Sequence, residues 1–223
     1  MATYEDFLPE IQGRAYGVSE PMVEMYVRSA AIEFCEATRL WRRQVQEYAF
    51  EGDGRIDITG IDEDQEELEA ILPGTYNGVQ IGTVPPAMNG AAFDRYAAID
   101  FEGEQRGAPM YVFELPDEPN TLGVWPVPDK QYADLTFVIA LKPKITATVI
   151  PDFLLRDYRK AIIEGALASI YDTVGQSFYN PSRAEIAERR FARAILNGKV
   201  AANRGRLIGG NLSVQMRPFA KGQ

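Results

Sequence analysis

The stretch Ser19 to Trp41, SEPMVEMYVRSAAIEFCEATRLW, limits the fold more than any other part of the chain. Ser19 suits a helix N-cap, Glu20 places negative charge in the first turn, and Pro21 sits where its missing N–H is not needed. Met22, Val23, Tyr26, Ala30, Phe34, Ala37 and Trp41 then recur mostly three or four apart, the spacing of one helix face. Val27, Ala31 and Cys35 widen that stripe, and Glu24, Arg28, Glu33, Glu36 and Arg39 mostly fall opposite it. The pattern predicts one long amphipathic helix. Ser29, Ala30 and Ala31 are small enough for a second helix to approach closely. Nothing in this stretch is chemistry; it is a packing surface.

Two later segments supply helices to pack against it. Ile150-Pro151-Asp152 opens a predicted helix to about Gly175, with Leu155, Tyr158, Ile162, Ala166, Ser169, Ile170 and Val174 on its apolar face. Gly165, Ala166, Ala168 and Ser169 form a second small-residue patch, so the two helices are expected to pack through these patches. Asn180 caps and Pro181 starts a third helix to about Arg204, with Ile186, Ala187, Phe191, Ala194, Ile195 and Val200 as its packing face.

Between these helices the period changes to two. Val45, Glu47 and Ala49 alternate with Gln44, Gln46, Tyr48 and Phe50, and Arg55–Thr59 alternates again after Glu51-Gly52-Asp53-Gly54, which predicts a β-hairpin. Further strands are expected at Leu68–Leu72, Val79–Val84, Met110–Leu115, Thr121–Val127 and Ala133–Lys142, and Pro73-Gly74 and Asn77-Gly78 read as turns. From residue 205 the chain, GRLIGGNLSVQMRPFAKGQ, has no helical period. The expected fold is therefore α+β: a helical bundle of about three main helices (residues 1–42 and 150–204), an inserted antiparallel β lobe (43–149) and an extended C-terminal docking tail (205–223).

Composition removes whole classes of function. The 223 residues are 46% hydrophobic and 25% charged, enough to bury a sizeable core. There is no histidine, so the commonest general base and metal ligand is missing, and the single cysteine forms no internal disulfide. Cys35 reads as a buried structural thiol. No cofactor and no metal is expected. No apolar run is long enough for a membrane span, and the acidic start MATYEDFLPE does not resemble a secretory signal. Carboxylate chemistry stays open in principle. Asp53 and Asp57 flank a turn and are a conceivable pair for hydrolysing cell-wall sugars, although a turn residue and an exposed strand residue are the commoner reading. The acidic run Asp62–Glu67 lacks the spaced ligands and central glycine of a calcium loop and reads as a solvated loop. Gly175-Gln176-Ser177 lacks the strand–turn–helix setting of a nucleophile elbow.

Charge is divided along the chain. Residues 1–149 carry 26 acidic against 11 basic side chains, whereas residues 183–223 carry 9 basic against 2 acidic. Arg183, Arg189, Arg190, Arg193, Arg204 and Arg206 invite a nucleic-acid reading, but Glu185 and Glu188 interrupt the row and the net charge is −9. Glu185 is placed to pair with Arg189 within the helix. A protein or self-interface fits better, with the acidic part of one copy facing the basic part of the next. The tail alternates apolar Leu207, Ile208, Leu212, Val214, Met216 and Phe219 with basic Arg206, Arg217 and Lys221, as a peptide that orders on a partner does.

Ala30-Ala31-Ile32-Glu33-Phe34-Cys35 with Thr38 and Trp41, and Gly175-Gln176…Asn180-Pro181…Ala184 leading to Phe191 and Ala194, resemble the packing motifs of tailed-bacteriophage head-to-tail adaptor (connector) proteins of the short-tailed type. The resemblance implies a non-enzymatic virion protein at the head–tail junction, assembled in the host cytoplasm. It implies a homo-oligomeric ring, typically of twelve copies, beneath the portal protein and above a tail tube or nozzle protein, with DNA passing through without specific binding. Under it, Arg204, Arg206, Leu207, Ile208, Leu212, Val214, Met216, Arg217 and Phe219 are the expected portal-binding residues. Ala30, Ala31, Phe34, Gly165, Ala166, Ser169, Arg189 and Arg193 are the expected inter-subunit packing residues. A head-completion or tail-terminator protein is the nearest alternative.

Overall fold

The computed structural model describes residues 2–76, 79–83, 106–115 and 120–207. Along them run β1 (Ala2–Thr3), a single 3₁₀ turn (Tyr4–Phe7), α1 (Leu8–Gln12) and α2 (Glu20–Thr38). Strands β2 (Arg42–Ala49), β3 (Arg55–Asp57), β4 (Glu66–Tyr76), β5 (Val79–Thr83), β6 (Tyr111–Glu114), β7 (Thr121–Trp125), β8 (Tyr132–Pro143) and β9 (Val149–Ile150) follow. The chain then forms α3 (Asp152–Asp157), α4 (Arg159–Tyr171) and α5 (Pro181–Leu207).

This is not a helical bundle carrying a small antiparallel lobe. Among the described residues the fold is mixed α/β, with five α-helices set against a seven-stranded sheet in the order β2-β8-β4-β5-β6-β7-β3. That sheet curls into a nearly closed barrel. Its two end strands, β2 and β3, are consecutive in sequence, yet β2 pairs with β8 and β3 with β7, so the expected hairpin does not form. A side chain bridges the gap instead: Glu47 of β2 accepts hydrogen bonds from the Thr59 N–H (2.9 Å) and hydroxyl (2.6 Å) just beyond β3. The sheet is not wholly antiparallel either, because β5 and β6 pair in parallel through Gly82 with Tyr111 and Thr83 with Val112.

Alternation nevertheless points the expected residues inward. Val45, Glu47 and Ala49 are buried along β2 while Gln44, Gln46 and Tyr48 are exposed. The barrel core is closed by Leu122, Val124, Leu135, Phe137, Ile139 and Leu141. Pro73-Gly74 does not turn the chain: β4 continues through it with a register shift between Leu72 and Thr75, the kind of irregularity that tolerates a proline inside a sheet. β1 and β9 form a separate two-stranded ladder.

The helices form one layer with its own core. α2 buries Val23, Val27, Ala30, Ala31, Phe34, Cys35 and Thr38, a stripe rotated slightly from the sequence expectation, with Met22 and Tyr26 half-buried at its edge. It ends at Arg39, which takes the left-handed conformation (φ 50°) and donates its N–H to the Cys35 carbonyl at 2.8 Å. The segment expected as one helix from Ile150 is broken at Tyr158 (φ −122°, ψ 12°) into α3 and α4. α4 stops at Tyr171, leaving Val174 77% exposed beyond it. Trp41, between α2 and β2, packs against both the helical and the barrel cores, and its carbonyl accepts the Leu141 N–H at 2.8 Å. No helix among the described residues is long and apolar enough to cross a membrane.

Candidate functional site

Most of the candidate residues among those described lie in the helical layer, which is tightest where three helices meet. A Cβ on Gly165 of α4 would come within 2.9 Å of the Ala30 Cβ on α2 and 2.9 Å of the Phe191 ring on α5. Glycine is therefore what lets three helix backbones converge. Gly198 plays the same part lower down, where a Cβ would meet Thr38 at 2.7 Å and Leu40 at 3.2 Å. Phe34 fills the centre, with the Tyr158 ring at 4.9 Å and the Phe191 ring at 6.4 Å between centroids. Glu164 ties the periphery, accepting from Arg14 at 2.9 Å and Arg190 at 3.4 Å, and Asn180 caps α5 by accepting the Arg183 N–H at 3.0 Å.

This packing uses up most of the residues expected between copies. Ala30, Ala31, Phe34, Gly165 and Ala166 are buried inside one protomer, where they hold α2, α4 and α5 together. Ser169, Arg189 and Arg193 remain exposed. Arg204 is exposed near the end of α5, and the α5 backbone continues through Arg206 and Leu207. Ile208, Leu212, Val214, Met216, Arg217 and Phe219 lie outside the described residues.

α5 also departs from its expected packing face. The layer is met by Ala184, Ala187, Phe191, Gly198 and Ala202, whereas Ile186 (45% exposed) and Val200 (49%) point outward with Leu196 (62%). The helix has two apolar rows, and the outer one carries Arg189 and Arg193. The Glu185–Arg189 pair forms within the helix at 3.3 Å, with both side chains largely exposed. Across the layer the balance of charge reverses. Where α2 meets the barrel, Lys142 is shared by Glu36 (2.8 Å), Glu69 (3.3 Å) and Glu67 (3.7 Å). Burial, then the neighbouring Glu36 and Glu188, raise the Glu33 carboxyl above its ordinary range. Burial, then Glu69, do the same for Glu114 against the opposing pull of Arg39 and Lys142.

The family model for the SU10 adaptor protein matches residues 2–215. The chain belongs to that family. The match takes in both the helical layer and the barrel, so the two together are the adaptor, and the resemblance to a phage head-to-tail adaptor holds for nearly the whole chain. No curated protein matches it.

Cys35, Asp53 and Asp57 each have a local structural contact or setting. Cys35 is fully buried, and burial followed by the charges of Glu36 and Glu69 pushes its thiol up to about 12. Asp53 accepts the Arg55 N–H (2.9 Å) and Asp57 accepts the Thr121 hydroxyl (2.9 Å), both on the exposed face of the barrel. The acidic run is only partly a solvated loop, because Glu66 is 4% exposed and is held by Arg43 through bonds of 2.6 and 2.8 Å. Glu5, Glu20 and Glu24 gather at the start of α2, where the helix dipole favours negative charge. A cleft of about 560 Å³ at the α3–α4 break is lined by Glu10, Leu155, Tyr158, Arg159 and Asn197, and the 2.6 Å Arg159–Glu10 ion pair spans two of its lining residues.

Proposed function

We propose that this adaptor forms a ring at the head–tail junction of the virion, joining the portal protein to the tail tube or nozzle protein and continuing the DNA channel. The observation that carries the reading is the family match across residues 2–215, which spans the helical layer, the barrel and most of the basic, apolar C-terminal segment. The ring is homo-oligomeric, with twelve copies as the working number. Portal contact is assigned to the segment beginning at Arg204 and running through Leu207, Ile208, Leu212, Val214, Met216, Arg217 and Phe219. α5 fits this role because Asn203 and Arg204, which follow the buried Ala202 and lead into that segment, are exposed. The barrel faces the tail. Its acidic strands suit a channel wall, since like charge keeps passing DNA from adhering.

Truncation before Leu207 tests the assignment. It removes none of the described buried residues of the layer, so far-UV circular dichroism is expected to be unchanged while binding to portal rings is lost. Unchanged binding would remove the C-terminal segment from the interface. A truncated or full-length chain that caps a tail rather than a portal would favour a tail terminator.

A further inference from the structure

The outward rows of α5 and α2 are complementary in a single register. On α5, Ile186, Arg189, Arg193, Leu196 and Val200 follow one another at three and four residues and are all exposed, opposite the row that meets the layer. On α2, Met25 (51% exposed), Ser29, Glu33 and Glu36 are exposed opposite the buried Val27, Ala31 and Phe34. Both helices rise by about 1.5 Å per residue, so an antiparallel alignment can be read residue by residue. With Val200 over Met25, Leu196 falls over Ser29, Arg193 beside Glu33 and Arg189 beside Glu36. Apolar or small side chains oppose one another at one end, and guanidinium opposes carboxylate at the other.

This match cannot be made within one chain. Gly198 lies against Thr38 and Leu40, so Val200 sits by the C-terminal end of α2, and Met25 is about 20 Å back along that helix. The partner is therefore a second copy. The acidic end of α2 has room for added positive charge: Lys142 is outnumbered by Glu36, Glu67 and Glu69, and Glu33 is crowded by Glu36 and by Glu188 of α5. Among the described residues Arg189 pairs with Glu185 alone, and an exposed pair of this kind contributes little stability that a new contact would have to replace.

We infer that the outward face of α5 of one copy packs antiparallel on the outward face of α2 of the next. The two faces differ, so the contact is head-to-tail and propagates until it closes, as a ring requires. The inference rests on the adaptor-ring reading and adds the surface by which the copies meet.

The full-length chain carrying Met25→Cys and Val200→Cys, assembled on portal rings and mildly oxidised, tests it on a non-reducing gel. A ladder of linked copies is expected from the double variant, and nothing beyond a dimer from either single variant. Both sites are half-exposed and native Cys35 is buried, so the fold and the background should be unaffected. Arg193→Glu should remove at least nine-tenths of the ladder, and adding Glu33→Arg should restore it. Portal binding without a ladder would overturn the interface while leaving the adaptor reading intact. A ladder from free protein that does not bind portals would keep the interface and overturn the adaptor reading. Absence of a ladder in both states would reject the interface.

Discussion

The helical layer and the barrel bury cores of similar make-up but are held together differently. In the layer, three helices converge on points where no side chain fits: Gly165 against Ala30 and Phe191, and Gly198 against Thr38. In the barrel, strands share the load along extended ladders, and closure between β2 and β3 is left to the Glu47–Thr59 hydrogen bonds. The layer has no spare room at these crossings, as close-packed interiors demand. The barrel can absorb local irregularity, as the register shifts in β2 and β4 show. In the proposed ring, the tightly packed layer would hold the outward rows of α2 and α5 at a fixed spacing, and the barrel would present surface.

The sharpest way to break this contrast is Gly165→Leu. The new side chain would meet two helices at once, and overpacking of this kind costs about 3 kcal/mol. Urea unfolding followed at 222 nm should show that loss, along with loss of assembly, since the outward rows of α2 and α5 would no longer be held at a fixed spacing. Arg43→Ala probes the barrel side. It strands the buried Glu66 carboxylate without its two short hydrogen bonds, at roughly 2 kcal/mol, and assembly at low temperature should survive. Asn180→Ala removes the α5 cap and should cost about 1 kcal/mol in the same experiment.

The smallest effect is expected at Glu114, and its sign depends on pH. Burial raises its carboxyl pKa in the folded state, so its stabilising contribution is fully present below the ordinary carboxylate range and is lost as pH rises through the raised value. Glu114→Gln should therefore give a small gain in urea midpoint at pH 7 that disappears at pH 4. A gain that persists at pH 4 would mean the effect is packing rather than charge.

The same contrast explains what could be read from the residues alone. α2 and the Asn180-Pro181 start of α5 were legible because helix periodicity and capping are local. Cys35 could be placed for the same reason, since it sits within that period. The small-residue patches are legible as the surfaces through which the first two long helices meet, and Gly165 does lie against Ala30; periodicity alone does not say whether the same residues also face a second copy. On α5, two apolar rows overlap, and Ile186 and Val200 were assigned to the inner one although Ala184, Gly198 and Ala202 fill it. The 3-4-3-4 spacing of Ile186, Arg189, Arg193, Leu196 and Val200 was the available signal for an outer row. In the barrel, alternation identified the inward residues of β2 and the location of most strands, but strand partners are set by contacts far apart in sequence. The Asp-Gly turn after Phe50 suggested a hairpin, whereas the strands it joins became the two ends of the sheet. Nothing local marks the parallel β5–β6 pairing.

A ring-forming adaptor seated on a portal should add to that portal as a complete ring. Mass photometry of purified portal rings, alone and with saturating full-length chain, tests it most directly. Each portal should gain the mass of one complete ring of copies, with few partially filled species, because each bound copy presents the surface that receives the next. A portal mass that stays unchanged at saturation would contradict it.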